Sequence, residues 1–226
     1  MPTRGAQAVV TPGVVPALSF AVRDAQALRY AAVPTIEFTV AVEADESRPI
    51  RSVLLDVQIQ IAARQRAYDD AAQEALIELF GAAERWGSTL RTLLWTRTTV
   101  IVPPFEGPTV VALPITCTYD LEVTAGRYFA ALTEGEVPLE FLFSGSVFFE
   151  GPQGMLQTAR IALDQDVDYR LPVRIWREAI DRHFPQTAWL RLDRERFDRL
   201  RAFRGRHALP SWDAAVDALL EGRDEP

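Results

Sequence analysis

The chain has 226 residues, is 48% hydrophobic and 24% charged, and carries a net charge of −7. That is enough for one large domain, or for a medium domain with an appended unit. All 24 basic residues are Arg, which excludes a Schiff-base lysine and a phosphate-loop lysine.

Cys117 is the single cysteine. No internal disulfide can form, and a cytoplasmic protein is expected. Residues 187–226 hold eight Arg and eight Asp or Glu, so the acidic surplus lies wholly in residues 1–186. A body this acidic is a poor general binder of polyanions. Pro12, Gly13 and Pro16 break the first apolar stretch. Residues 1–16 therefore read as a flexible lead-in, neither a signal peptide nor a membrane span.

Residues 34–42 alternate, with Ile36, Phe38, Val40 and Val42 on one face. Residues 53–61 alternate again, with Val53, Leu55, Val57, Ile59 and Ile61 together. Period two over such lengths predicts half-buried strands, and the short connection predicts that the two pair antiparallel. The pattern then changes to a helical insertion over 68–94. Asp69 and Asp70 can cap a helix carrying Leu76, Ile77 and Phe80, and Ser88 can restart a turn carrying Leu90, Leu93 and Leu94. Such a segment packs over an open end of a sheet or acts as a flap.

Further strands are predicted at 96–102, 109–113 and 115–123, the last placing Ile115, Cys117, Tyr119, Leu121 and Val123 inward. One or two helical turns at 124–132 place Tyr128, Phe129 and Leu132. Residues 137–149 are apolar on both faces in their middle and read as a central strand. A hairpin loop at 150–154 leads into a strand over 155–171. Pro172 suits the first turn of a helix over 173–183, with Val173, Trp176 and Ile180 on one stripe.

The expected fold class is α+β: an antiparallel β-sandwich of seven or eight strands, one inserted helical segment and a C-terminal helical region. The domain spans 17–171, the helical region spans 172–222, and 223–226 form a tail. Within the helical region, 187–222 read as strand, helix, turn, helix. Asp193 and Ser211 stand at the two N-cap positions.

Candidates for chemistry are few. His183 and His207 lie on different predicted helices, without partners at metal-ligand spacing. Cys117 sits on an apolar strand face and reads as a core residue. Asp164, Asp166 and Asp168 suggest a calcium loop, but Tyr169 and Ile175 occupy the places that need Gly and Glu, so they read as a solvated strand face. In Phe143-Ser-Gly-Ser-Val147, Gly145 marks a bulge or a close backbone approach. No catalytic, metal or cofactor-binding residue is assigned, and the expected protein is not an enzyme.

The stretch TAWLRLDRERFDRLRAFRGRHALPSWDAAVDALLEG resembles ribbon-helix-helix repressors and antitoxins over about 35 residues. Such a resemblance implies base-reading by Thr187, Trp189 and Arg191, and a phosphate clamp at Ser211, Trp212 and Asp213. Trp189 is too bulky for a bidentate base contact, and Asp213 puts negative charge where a phosphate would sit. The stretch is therefore expected to serve docking or dimerisation, through Trp189, Arg191, Trp212 and Asp213. The runs LLWTRTTVIVPPF, CTYDLEVTAGRYFAAL, GEVPLEFLFSGSVFF and RLPVRIWREAIDRHF resemble an uncharacterised actinobacterial-type family of unknown function over most of residues 17–221. The resemblance implies gene neighbourhoods of nickel-iron hydrogenases and supplies no catalytic residues.

The expected function is that of a non-enzymatic accessory or assembly protein, in hydrogenase or redox-complex maturation. Its partner is another protein, with Trp86, Trp95 and Phe105 as candidate anchors, and it can self-associate as a homodimer through the C-terminal unit. No membrane partner is expected. Two alternatives are a DNA-binding regulator acting through the C-terminal unit and a small-ligand or carbohydrate-binding sandwich with a pocket lined by Tyr and Trp.

Overall fold

A computed structural model describes residues 15–45, 49–118, 123–151, 154–162, 165–185, 187 and 191–222. The chain divides into two compact units, residues 1–188 and 189–226. The described strands of the first unit are β1 (Leu18–Ala27), β2 (Thr35–Ala44), β3 (Ile50–Ile61), β4 (Leu93–Val102), β5 (Thr109–Thr116), β6 (Glu136–Glu150), β7 (Leu156–Arg160) and β8 (Asp166–Pro172). They form two antiparallel sheets. One has the order β1-β2-β5; the other has the order β4-β3-β6-β7, with β8 also on β6. The architecture is an antiparallel β-sandwich with added helices, as the alternation predicts.

The inner faces are apolar because the period-two residues all point the same way. Ile36, Phe38, Val40 and Val42 from β2 are fully buried, as are Val53, Leu55, Ile59 and Ile61 from β3. Rings tie the two sheets together. Phe20 stacks on Phe143 at 4.6 Å, and Phe38 meets Phe141 edge-on at 5.1 Å and Tyr169 at 5.8 Å. The long strand β6 is central, pairing β3 on one edge and both β7 and β8 on the other.

Several expectations change. β2 and β3 do not pair with each other. β2 lies between β1 and β5, whereas β3 lies between β4 and β6. The short connection carries the chain from one sheet to the other, and Asp45 anchors it by accepting from the Ala17 backbone N–H at 2.9 Å. The two expected strands 109–113 and 115–123 are replaced by a single β5 that runs through Pro114 and ends at Thr116. Pro114 is tolerated because β5 pairs only with β2, leaving its other edge free. Tyr119 and Leu121 lie outside the described residues, and Val123 is exposed. Leu93 and Leu94 begin β4 instead of ending a helical turn. The run 155–171 splits into β7 and β8, because the chain leaves the β6 ladder opposite Phe143–Gly145. β1 fits no simple alternation: Leu18, Phe20 and Val22 set one phase, and a bulge between Val22 and Asp24 shifts the next inward residues to Ala25 and Ala27.

Between β3 and β4 the insertion forms α1 (Asp70–Ala75), α2 (Ile77–Phe80), a 3₁₀ turn (Ala83–Arg85) and α3 (Trp86–Thr89). The Asp69 carboxylate caps α1 by accepting from the Ala72 N–H at 2.7 Å. The insertion is packed: Leu76 and Phe80 are buried. It meets α4 (Thr124–Ala130), which buries Tyr128 and Phe129. α5 (Val173–His183) lays Trp176 flat on Phe129 at 5.4 Å. The strong apolar stripe of α5 explains that docking.

The second unit contains α6 (Arg194–Arg206) and α7 (Trp212–Glu221). Asp193 accepts from the Arg196 N–H at 2.8 Å, and the Ser211 hydroxyl accepts from the Ala214 N–H at 3.0 Å. Both caps fall where the sequence places them. Of the strand expected over 187–192, Thr187, Arg191 and Leu192 are not in a strand, and Ala188, Trp189 and Leu190 lie outside the described residues.

Candidate functional site

Two of the nucleophile and ligand candidates, Cys117 and His183, are engaged by the fold. Cys117 is 3% exposed, and burial pushes its thiol up to about 12, so it remains protonated at neutral pH and is a poor nucleophile. His183 places its Nδ1 2.9 Å from the Ala179 carbonyl and its Nε2 3.0 Å from the Ala31 carbonyl, tying the end of α5 to the β1–β2 connection. His207 ends α6 with its ring 4.5 Å from that of Phe203. Among the described residues no three His, Cys, Asp or Glu side chains come together to hold a metal ion. Asp166 and Asp168 lie exposed on β8, and Asp164 lies outside the described residues.

The outer face of the larger sheet carries a polar depression. Asp56 on β3 stands opposite Thr99 on β4 and Ser144 on β6. The Thr99 hydroxyl donates to the Asp56 carboxylate at 2.5 Å. Arg97 flanks a depression of about 420 Å³, and Arg160 flanks an adjoining one of about 330 Å³. Sequence alternation marks Asp56 as outward, whereas Ser144 falls in a strand whose middle is apolar on both faces. Only the strand register brings them side by side. The lining is polar and lacks the Tyr and Trp expected of a carbohydrate-binding sandwich.

The α6–α7 hairpin is different in kind. Only Ala215 is buried. Phe197, Trp212, Val216, Leu219 and Leu220 are between 39% and 59% exposed. The hairpin holds its shape through local contacts. The Trp212 ring lies 5.5 Å from that of Phe197, and the Arg204 guanidinium sits 4.8 Å from its centre. Arg204 also donates to the carbonyls of Leu209 and Pro210. Beside these contacts runs an open groove of about 730 Å³, floored by Leu200, Phe203 and Leu219 and rimmed by Arg196, Arg199 and Arg206. The apolar side chains of the hairpin are thus left largely open rather than packed into a core.

Of the surface residues named from the sequence, Trp212 and Asp213 open α7 and are exposed. Arg191 is exposed ahead of α6, and Trp189 lies outside the described residues. Trp86, Trp95 and Phe105 are half-buried against the core. The Trp86 Nε1–H donates to the Gly81 carbonyl at 2.8 Å, Trp95 packs on Phe129 at 4.9 Å, and Phe105 exchanges two backbone hydrogen bonds with Ile50. Leu219 and Leu220, absent from the candidates named, belong to the exposed apolar face; their spacing from Trp212 and Val216 is the helical signal that finds them.

No helix among the described residues is long and apolar enough to cross a membrane. No curated protein matches the chain. Solved structures with some likeness include the CARDB domain of a Pyrococcus furiosus protein in complex with two metal ions. It is 11% identical, with 75% of this chain and 97% of that one covered and a TM-score of 0.27. A putative late embryogenesis abundant protein is 14% identical, with 70% and 73% covered and a TM-score of 0.31. The putative ApaA protein of Bordetella pertussis is 11% identical, with 71% and 96% covered and a TM-score of 0.26. Likeness at this level carries no function across. A family model, by contrast, matches residues 15–226, so the chain belongs to DUF6084, a family of unknown function.

Proposed function

We propose that this protein is a non-enzymatic accessory or assembly protein that works by binding another protein, with the α6–α7 hairpin as its association unit. The observation that carries this reading is the hairpin's surface: Phe197, Trp212, Val216, Leu219 and Leu220 are exposed while only Ala215 is buried. Two helices this short gain little stability from their own propensity and depend on burying an amphipathic face. The chemistry of Cys117 supports the non-enzymatic side, since a thiol held at about 12 is not an activated nucleophile. The resemblance to a family near nickel-iron hydrogenase genes suggests maturation of a hydrogenase or another redox complex as the setting.

The test is crosslinking and capture from native lysate with the full chain and with a chain ending at residue 187. Proteins recovered only with the full chain, with crosslinks mapping to 191–222, are the expected result. Identical protein sets from both chains would sink the reading.

A further inference from the structure

The two helices of the hairpin carry opposite charge. α6 holds six Arg against Glu195 and Asp198, whereas α7 holds Asp213, Asp217 and Glu221 and no Arg. Much of the charge on α6 is already engaged. Asp198 lies 3.5 Å from Arg194 and 3.3 Å from Arg201, Arg196 pairs with Asp193, and Arg204 is held by the Leu209 and Pro210 carbonyls. Arg199 and Arg206 have no ion-pair partner among the described residues, and both rim the open groove. Among the described residues no ion pair joins α6 to α7 within the hairpin.

The acids of α7 recur every four residues, so Asp213, Asp217 and Glu221 form one stripe. Val216 and Leu220, 42% and 59% exposed, lie beside that stripe. An apolar strip edged by carboxylates is the complement of an apolar groove edged by guanidiniums. One hairpin thus carries both halves of a matching pair. Its own turn keeps them from meeting, but a two-fold axis brings them together twice.

We propose that the groove on α6 is occupied by α7 of a second copy of this chain, reciprocally, so that two hairpins close into a four-helix bundle. Val216 and Leu220 of each copy then cover Leu200, Phe203 and Leu219 of the other, and Asp217 and Glu221 face Arg199 and Arg206. The opposite arrangement, α6 on α6, would set arginines against arginines and is repelled. This inference rests on the reading of the hairpin as an association unit and names its occupant.

Light scattering on the full chain tests it. The expected mass is twice 25.3 kDa, falling toward the monomer as salt is raised. Two double variants follow: Arg199→Glu with Arg206→Glu, and Asp217→Arg with Glu221→Arg. Each alone should dimerise at least about tenfold more weakly, since like charges face each other at both symmetric contacts. Mixed in equal amounts, the two variant chains should recover the dimer mass as a heterodimer. Recovery on mixing also shows that each variant is folded. A monomeric wild-type chain, reversals that leave the dimer unchanged, or variants that remain monomeric when mixed would each overturn the pairing. A monomeric wild type that still captures a protein through residues 191–222 would remove the second copy and leave the accessory reading standing.

Discussion

The hydroxyls of Tyr68 and Tyr128 lie 2.7 Å apart, and the direction of that hydrogen bond is fixed by a third group. The Tyr68 hydroxyl also sits 2.7 Å from the Ala63 carbonyl, which can only accept. Tyr68 therefore spends its one proton on Ala63, and Tyr128 donates to Tyr68. This short relay joins the helical insertion to α4. Tyr128→Phe removes one donor and leaves Tyr68 satisfied, for an expected loss of about 1 kcal/mol. Tyr68→Phe strands both the buried Tyr128 hydroxyl and the Ala63 carbonyl, for an expected loss of roughly 2–3 kcal/mol. Urea unfolding of the two variants checks the order; equal losses would refute the relay.

Much of this fold was readable because the inner faces of β2 and β3 keep a strict phase. The phase in β2 and β3 names the buried residues correctly, and Asp69, Asp193 and Ser211 cap helices where the sequence puts them. Pairing was not readable. β2 and β3 look alike from within, and nothing in either says that the five residues between them change sheets. β1 escaped notice because its bulge resets the phase halfway. In the hairpin, the order of helix, turn and helix was legible, but that its apolar face stays open is a property of packing. The polar depression at Asp56 needed the register of three strands.

At Gly145, β6 leaves no room for a side chain beside its neighbour. Its φ is +133°, and a Cβ built there would stand 2.0 Å from the Leu54 carbonyl oxygen. Both the conformation and the space require glycine. Gly145→Ala should cost about 3 kcal/mol or more, since the collision is with backbone that cannot step aside. The neighbouring Ser144→Ala, on the outer face, should stay within about 0.5 kcal/mol. Thermal unfolding of the pair separates a backbone requirement from a general sensitivity of the strand.

Cys117 gives the protein a defined alkaline weakness. In the unfolded chain its thiol ionises near 9.0, whereas in the folded chain burial holds the proton until about 12. Across that window the native state binds more protons than the unfolded one, so stability falls as pH rises, by roughly 1.4 kcal/mol per unit. Burial raises Tyr68, Tyr128 and Tyr169 as well, and their share of the slope grows as pH approaches and passes their ordinary 10.0. Between pH 9 and 10 the slope should therefore be shallower in Cys117→Ala than in the wild type. Urea midpoints at the two pH values decide it; parallel curves would contradict the assignment.

The turn that ends α6 carries a conformational cost that one substitution can remove. The Ala208 N–H donates to the Gly205 carbonyl at 3.2 Å and the Leu209 N–H to the Arg204 carbonyl at 3.1 Å. This crossed pair of bonds requires a left-handed residue between helix and turn, the place glycine usually fills. Here it is alanine, with φ of +51°. A Cβ in that conformation costs about 1 kcal/mol or somewhat more. Ala208→Gly should therefore stabilise the hairpin by up to about 1 kcal/mol, the gain reduced by glycine's greater freedom in the unfolded chain. Hydrogen exchange should slow in the amides of α6 and α7 and stay unchanged in β3 and β6. Faster exchange in the hairpin would mean that the crossed bonds do not hold the turn.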